Sequence, residues 1–231
     1  MKLFKKTKFK KVYWYWLFAN LVIIIFIFIL LFYKPHRYTP VKPTDFKNNS
    51  NQISSYLTHE LLPQLYNGAQ RQEPFDLIIT QKGIKDIITQ AKWPQESRGI
   101  TLSAPEVFFV PENIIFMLTA NLKGAEFIVS IVAAPTLDNE GLLNLQVAKV
   151  KVGVMNVTPL AKMMAKKMYS DHLAAADIDT RDLGAKITAS LLNDEPFEPV
   201  FEIPGEDKKV RVKKITIVRE KLIIHLTPAG P

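Results

Sequence analysis

Residues 142–154 read Leu-Leu-Asn-Leu-Gln-Val-Ala-Lys-Val-Lys-Val-Gly-Val, a strand-like alternation of apolar and polar residues that does not keep one phase. Leu143, Leu145 and Val147 alternate with Asn144 and Gln146; beyond Val147 the apolar set moves to Ala148, Val150, Val152 and Val154, with Lys149 and Lys151 between. Side chains of a strand change face with period two. A slip of one residue therefore either carries the apolar set to the opposite face or is absorbed by a β-bulge, one extra residue that bends the strand. We expect a bulge here and, with it, a strongly curved sheet. The same slip recurs across Lys213 and Lys214, where Val210 and Val212 give way to Ile215 and Ile217. A sheet bent in this way tends to wrap around something, either a helix or a ligand.

Working outward, β-branched and aromatic runs at 106–110, 113–123 and 125–135 precede this strand, separated by Pro-Glu, Lys-Gly and Asp-Asn-Glu-Gly, which predicts an antiparallel meander. A closing hairpin is expected from 209–218 and 222–226 around Arg219-Glu220-Lys221. Helical spacing appears at Ile53, Tyr56, Leu57, Leu61 and Leu65, where Pro63 breaks or kinks the pattern. After a short apolar run at 75–80, Thr80 can cap a helix carrying Ile84, Ile87 and Ile88 that ends before Pro94. Thr158-Pro159 starts another helix, threonine as cap and proline at its first position, and a further one is expected at about 180–192. The fold class is α+β: a strongly curved, bulged antiparallel sheet wrapped around helices.

The organisation at the N-terminus is set by grease. Residues 12–33, VYWYWLFANLVIIIFIFILLFY, carry no charge and only Asn20 as a strongly polar side chain. As a helix they span ~33 Å, enough for the hydrocarbon core of a bilayer. Tyr13, Trp14, Tyr15 and Trp16 crowd one end and Tyr33 closes the other, where amphipathic rings sit at headgroup level. The apolar stretch is longer than a signal peptide requires and is followed by Lys-Pro-His-Arg, not a small-residue cleavage site, which favours an uncleaved anchor. Six lysines lie at 1–11, against Lys34, Arg37, Lys42 and Lys47 after the span. That bias places the N-terminus in the cytoplasm and the domain on the extracytoplasmic side of the cytoplasmic membrane. The expected organisation is a basic tail at 1–11, a transmembrane helix at 12–33, a proline-rich stalk at 34–50 that holds the domain off the membrane, and an α+β domain at 51–231.

The net charge of +8 looks like a nucleic-acid signal until it is located. Six of the eight formal charges belong to the tail, leaving the remainder at +2, without the basic face that a DNA or RNA partner needs. With no cysteine, disulfides, thiolate zinc sites and thiol nucleophiles are excluded. His36, His59, His172 and His225 are scattered, and His59-Glu60 lacks a second ligand at metalloprotease spacing, so no metal site is expected. No nucleophile elbow, phosphate loop or dinucleotide fingerprint occurs. Ser170, Asp171 and His172 are adjacent, and neighbours at a helix end do not point at one another. We expect no catalytic residues and no cofactor. Met155, Met163, Met164 and Met168 cluster within a short stretch, either filling a gap between helix and sheet or lining a surface for acyl chains.

Residues 107–169 carry a strand pair, a run ending Ala-Pro-Thr-Leu-Asp, a Gly-Leu-Leu-Asn-Leu strand, and Lys-Val-Gly leading through Thr-Pro into a helix. In order and spacing this resembles the small single-span envelope proteins of the YpmS type, which are similar to the tubular lipid-binding (TULIP) superfamily. The resemblance implies a long helix gripped by a curved sheet and an apolar groove for a lipid chain. On it, Phe127, Val129, Ile131, Leu143, Leu145, Met163, Met164 and Met168 would form the wall. The function expected is a non-catalytic, membrane-anchored envelope protein that binds or shields lipid or a lipid-linked precursor. The alternative is an assembly scaffold that docks other envelope proteins.

Overall fold

A computed structural model describes residues 6–35, 38–39, 53–97, 99–175, 183–203 and 205–229; for 6–12, 97, 168 and 171–175 it describes the backbone alone. The N-terminal helix α1 (Lys6–Leu31) includes Tyr13–Leu31, 19 residues of mean hydropathy 2.5 with none of the window buried, a candidate membrane span. Asn20, its one strongly polar side chain, donates to the Trp16 carbonyl at 2.8 Å, so the amide is satisfied inside the helix itself.

The helical pattern after residue 53 forms one turn of π-helix, Leu57–Leu61, running into α2 (Leu62–Gln70). Pro63 neither ends nor breaks the helix, because it sits in the first turn after the π segment, where a missing N–H costs least. β1 (Phe75–Thr80) leads directly into α3 (Gln81–Gln90), and Thr80 caps it by accepting from the Gly83 N–H at 3.0 Å. Then come β2 (Gln95–Ser97), β3 (Ile100–Leu102), β4 (Glu106–Val110), β5 (Asn113–Leu122), β6 (Ala125–Leu137), β7 (Leu143–Val152) and β8 (Met155–Asn156). Helices α4 (Thr158–Ala175) and α5 (Leu183–Asn193) come next, then β9 (Val200–Glu202), β10 (Lys209–Val218) and β11 (Lys221–Ala229).

The meander and the closing hairpin do not share a sheet. β2-β3-β5-β6-β7-β8, with β4 on the same edge of β5 as β3, make a seven-stranded antiparallel sheet; β1-β11-β10-β9 make a separate four-stranded one. β11 has β10 on one side and on the other β1, whose Leu77 lies opposite Ile224.

Both phase slips are resolved in the same way. Val132 faces Lys149 and Ala133 faces Val147, so Ala148 is the extra residue of a bulge. Leu143, Leu145, Val147, Val150 and Val152 consequently share one face of the large sheet. In the small sheet Val212 faces Leu226 and Lys214 faces His225, so Lys213 is extra, and Val210, Val212, Ile215 and Ile217 all stay on one side. That side packs on the large sheet. Val107, Phe109 and Ile217 form one buried cluster, bordered by Ile84 and Ile88 of α3; Ile203, Val210, Val212 and Leu226 form the other, bordered by Leu137 of β6. The strand predicted to end at Pro135 continues to Leu137. β5 runs no further than Asn113, so the missing N–H of Pro135 leaves no ladder bond unmade on that side.

The edge of β7 is covered by α5 and the loop after it. The buried Ser190 of α5 accepts the Leu145 N–H at 2.8 Å, and Leu143 exchanges backbone hydrogen bonds with Phe197 at 2.8 and 2.9 Å. The helix predicted to start with a Thr158 cap does start there, but the hydroxyl of Thr158 is turned to β7, accepting the Val150 N–H at 2.9 Å. Asn156 supplies the local acceptor for the Thr158 N–H.

Candidate lipid-facing site

The sequence predicts a stalk at 34–50 across which little contact energy passes, yet Tyr38 and Thr39, and Leu30 and Phe32 before them, contact the domain. Leu30 accepts the Val154 N–H at 3.0 Å, and the Phe32 ring lies 5.1 Å from that of Phe127. Tyr38 is buried, its hydroxyl 2.9 Å from Thr119 Oγ1 and 3.3 Å from Ser103 Oγ. Thr39 donates its N–H to Glu106. Strand register puts Phe127 on one face of the large sheet and Thr119 and Glu106 on the other, so the chain leaving α1 straps the sheet from face to face. The physical reason is local: Tyr38 is an aromatic ring whose buried hydroxyl has two partners waiting, which fixes the segment although three prolines surround it. Residues 40–52 lie outside the described ones.

Gly153 makes the close approach possible. Its φ is +59°, and a Cβ there would run into the carbonyl oxygens of Leu30 and Leu31. Only glycine meets both demands. The sequence held one signal for it: a glycine that interrupts a β-branched run marks a turn or a place where another backbone comes near, and Gly153 falls in the two-residue turn between β7 and β8.

The expected wall residues divide. Phe127, Val129, Ile131, Leu143 and Leu145 lie on one face of the large sheet, together with Leu118, Ala120 and Val152. Towards Leu137 and Leu143 this face is closed by the small sheet and Phe197; towards Phe127 it is half-buried and meets the end of α1. Met163 and Met164 are elsewhere. They are 63% and 54% exposed and, with Leu160 at 53%, form an outward stripe on α4. Neither the gap-filling nor the cavity-lining reading holds for these two, because the helix is turned the other way: Lys162 faces inward and pairs with Asp194 at 3.3 Å. The side chain of Met168 lies outside the described residues. Tyr13, Trp14, Trp16 and Tyr33 are all exposed.

Ser170 turns its hydroxyl back to the Lys167 carbonyl, His225 pairs across strands with Asp76 at 2.5 Å, and His59 bonds to Ser55 and Thr58 of its own helix. Partial burial and the Glu195 carboxylate push the Tyr169 hydroxyl above its ordinary pKa. Among the described residues no group of three or more His, Asp or Glu could hold a metal ion. An open cleft of about 620 Å³ lies at the far end of β5 from Leu122, lined by Glu112, Asn113, Pro135, Lys214, Ile215 and Thr216 among others. No protein-family model matches the chain, and no curated protein or solved structure compared with it is similar.

Proposed function

We propose that this chain is a single-span membrane protein, N-terminus in the cytoplasm and domain outside, that binds or shields lipid without catalysing a reaction on it. The observation that carries the reading is the apolar sheet face through Phe127, Val129 and Ile131, which is half-buried where it meets the end of an apolar helix long enough to cross a bilayer. A lipid leaving the bilayer along α1 meets that face without crossing water. The bulges at Ala148 and Lys213 support a bent sheet, because an extra residue on one strand increases local twist. The order of elements at 107–169 supports kinship with YpmS-type and tubular lipid-binding proteins. The six lysines before α1 support the orientation.

The test is a photoactivatable phospholipid added to the full chain in nanodiscs, with peptide mapping of the adducts. Adducts on the β6 residues Phe127, Val129 or Ile131 are expected. Adducts confined to α1, with no lipid retained in native mass spectrometry, would refute lipid binding by the domain. A second reading, a scaffold that docks other envelope proteins, draws on the outward stripe Leu160, Met163 and Met164, an apolar helix face exposed among the described residues. Crosslinking at these positions to another protein, together with no lipid adducts on β6, would favour it.

A further inference from the structure

Two hairpin tips lie beside the end of α1, and each carries an exposed apolar side chain. Ile100 and Leu122 face each other across β3 and β5, 36% and 43% exposed. Leu122 is paired with Ala125, which precedes Phe127 by two residues on the same face, and Phe127 touches Phe32. Paired residues are ~5 Å apart and alternate residues ~7 Å, so Leu122 stands within ~10 Å of Phe127 and Ile100 within ~15 Å. Phe32, itself 43% exposed, immediately follows the last residue of the apolar window. The row Ile100, Leu122, Phe127 and Phe32 therefore continues the lipid-facing surface of α1 onto the domain.

We infer that this tip is a second membrane contact, seated in the headgroup and acyl boundary of the bilayer that α1 crosses; the inference rests on the reading of α1 as a span. Two further features fit a wet but crowded boundary layer. The backbone of the β5–β6 turn is satisfied from within, the Gly124 N–H donating to Asn121 Oδ1 at 2.9 Å, so the turn gives up little in leaving bulk water. Lys123 stands exposed at its apex, and the exposed Lys34 follows Tyr33. Both can keep an ammonium among phosphates while their stems lie along apolar surface. Glu126, the nearest acid in the hairpin, pairs with Asn121 and belongs to the opposite face. The occupant is the bilayer, with anionic lipid preferred, since the row is continuous with a surface that already faces lipid.

The chain has no cysteine, so single spin labels can be placed cleanly. Full-length protein carrying Ile24→Cys, Leu122→Cys, Ile100→Cys or Glu140→Cys is reconstituted in nanodiscs of mixed zwitterionic and anionic phospholipid. Accessibility to oxygen is then compared with accessibility to a nickel chelate. Labels at 122 and 100 are expected to favour oxygen several-fold over the label at 140, which lies in the turn at the other end of β6, and to sit shallower than the label at 24. A lipid-embedded label at 24 with labels at 122 and 100 as wet as 140 would overturn the second contact and leave the span standing. A wet label at 24 would overturn both. Dipolar broadening at 122 that disappears in singly loaded nanodiscs, leaving a wet label, would assign the tip to a second copy and overturn the membrane contact.

Discussion

Replacing Gly153 with alanine should lever the domain off the end of α1. Gly153 has φ +59°, and the left-handed region costs a residue with a Cβ about 1–2 kcal/mol. The new methyl group would also collide with the carbonyls of Leu30 and Leu31, which are backbone atoms and cannot step aside as a flexible side chain would. Relief comes from undocking. That forfeits the Val154 to Leu30 hydrogen bond, about 0.5–1.5 kcal/mol, and the Phe32 to Phe127 ring contact, of about the same size. The backbone strain is common to the docked and undocked states, so what the docked state loses is the two contacts, roughly 1–3 kcal/mol, or about fivefold to a hundredfold in its opening equilibrium. Amide hydrogen exchange at Val154, monitored in the full chain in nanodiscs, reads this directly as lost protection. Gly124→Ala is the control: its φ is +90° and no atom lies near enough to clash, so it suffers backbone strain alone. If Gly153→Ala changed Val154 exchange no more than Gly124→Ala does, the close approach of α1 to the sheet would be wrong.

Tyr38→Phe removes a hydroxyl shared with Thr119 and Ser103 in a buried setting; a loss of about 1–2 kcal/mol is expected, seen as a lower urea midpoint, and an unchanged midpoint would mean that the strap contributes no stability. Ala148 is exposed, so Ala148→Ser should leave the melting temperature within about 2 °C; deleting Ala148 removes the bulge but keeps every β6–β7 pair in register with Leu143, Leu145 and Val147 on their face, so circular dichroism should still show a cooperative melt, and its loss would mean that Ala148 is not the extra residue. Ser190→Ala leaves the Leu145 N–H without its partner under α5, for an expected cost of about 1–3 kcal/mol in chemical denaturation. Leu226→Ala, at the centre of the small-sheet core, should cost about 2–5 kcal/mol, and a smaller loss would mean that the core there relaxes around the cavity.

The features legible in the sequence are those set by neighbours along the chain. A phase slip is visible in a few residues, and both bulges fall where Val147 and Lys213 announce them. The Thr80 cap is equally local. What escaped depends on distant partners. The runs at 75–80 and 221–229 are strands by pattern, but nothing in either says that they pair with each other and so divide the sheet in two. The lysines of α4 look solvent-facing until Asp194 is brought beside Lys162, which rolls Met163 and Met164 outward. Tyr38 reads as one more residue of a proline-rich stalk until Thr119 and Ser103 are placed around its hydroxyl. Of the candidate site, five apolar residues were gathered by the period of two strands, while Gly153, Phe32, Ile100 and Leu122 emerge only once α1 is docked.

The most direct measurement is reaction of single cysteines with a membrane-impermeant maleimide in intact cells. A cysteine replacing Glu140, in the exposed turn between β6 and β7, should react before lysis, and one replacing Ile24, in the middle of α1, should stay unreactive until the membrane is dissolved. Reaction at 140 only after lysis would put the domain in the cytoplasm, and ready reaction at 24 in intact cells would mean that α1 does not cross the bilayer.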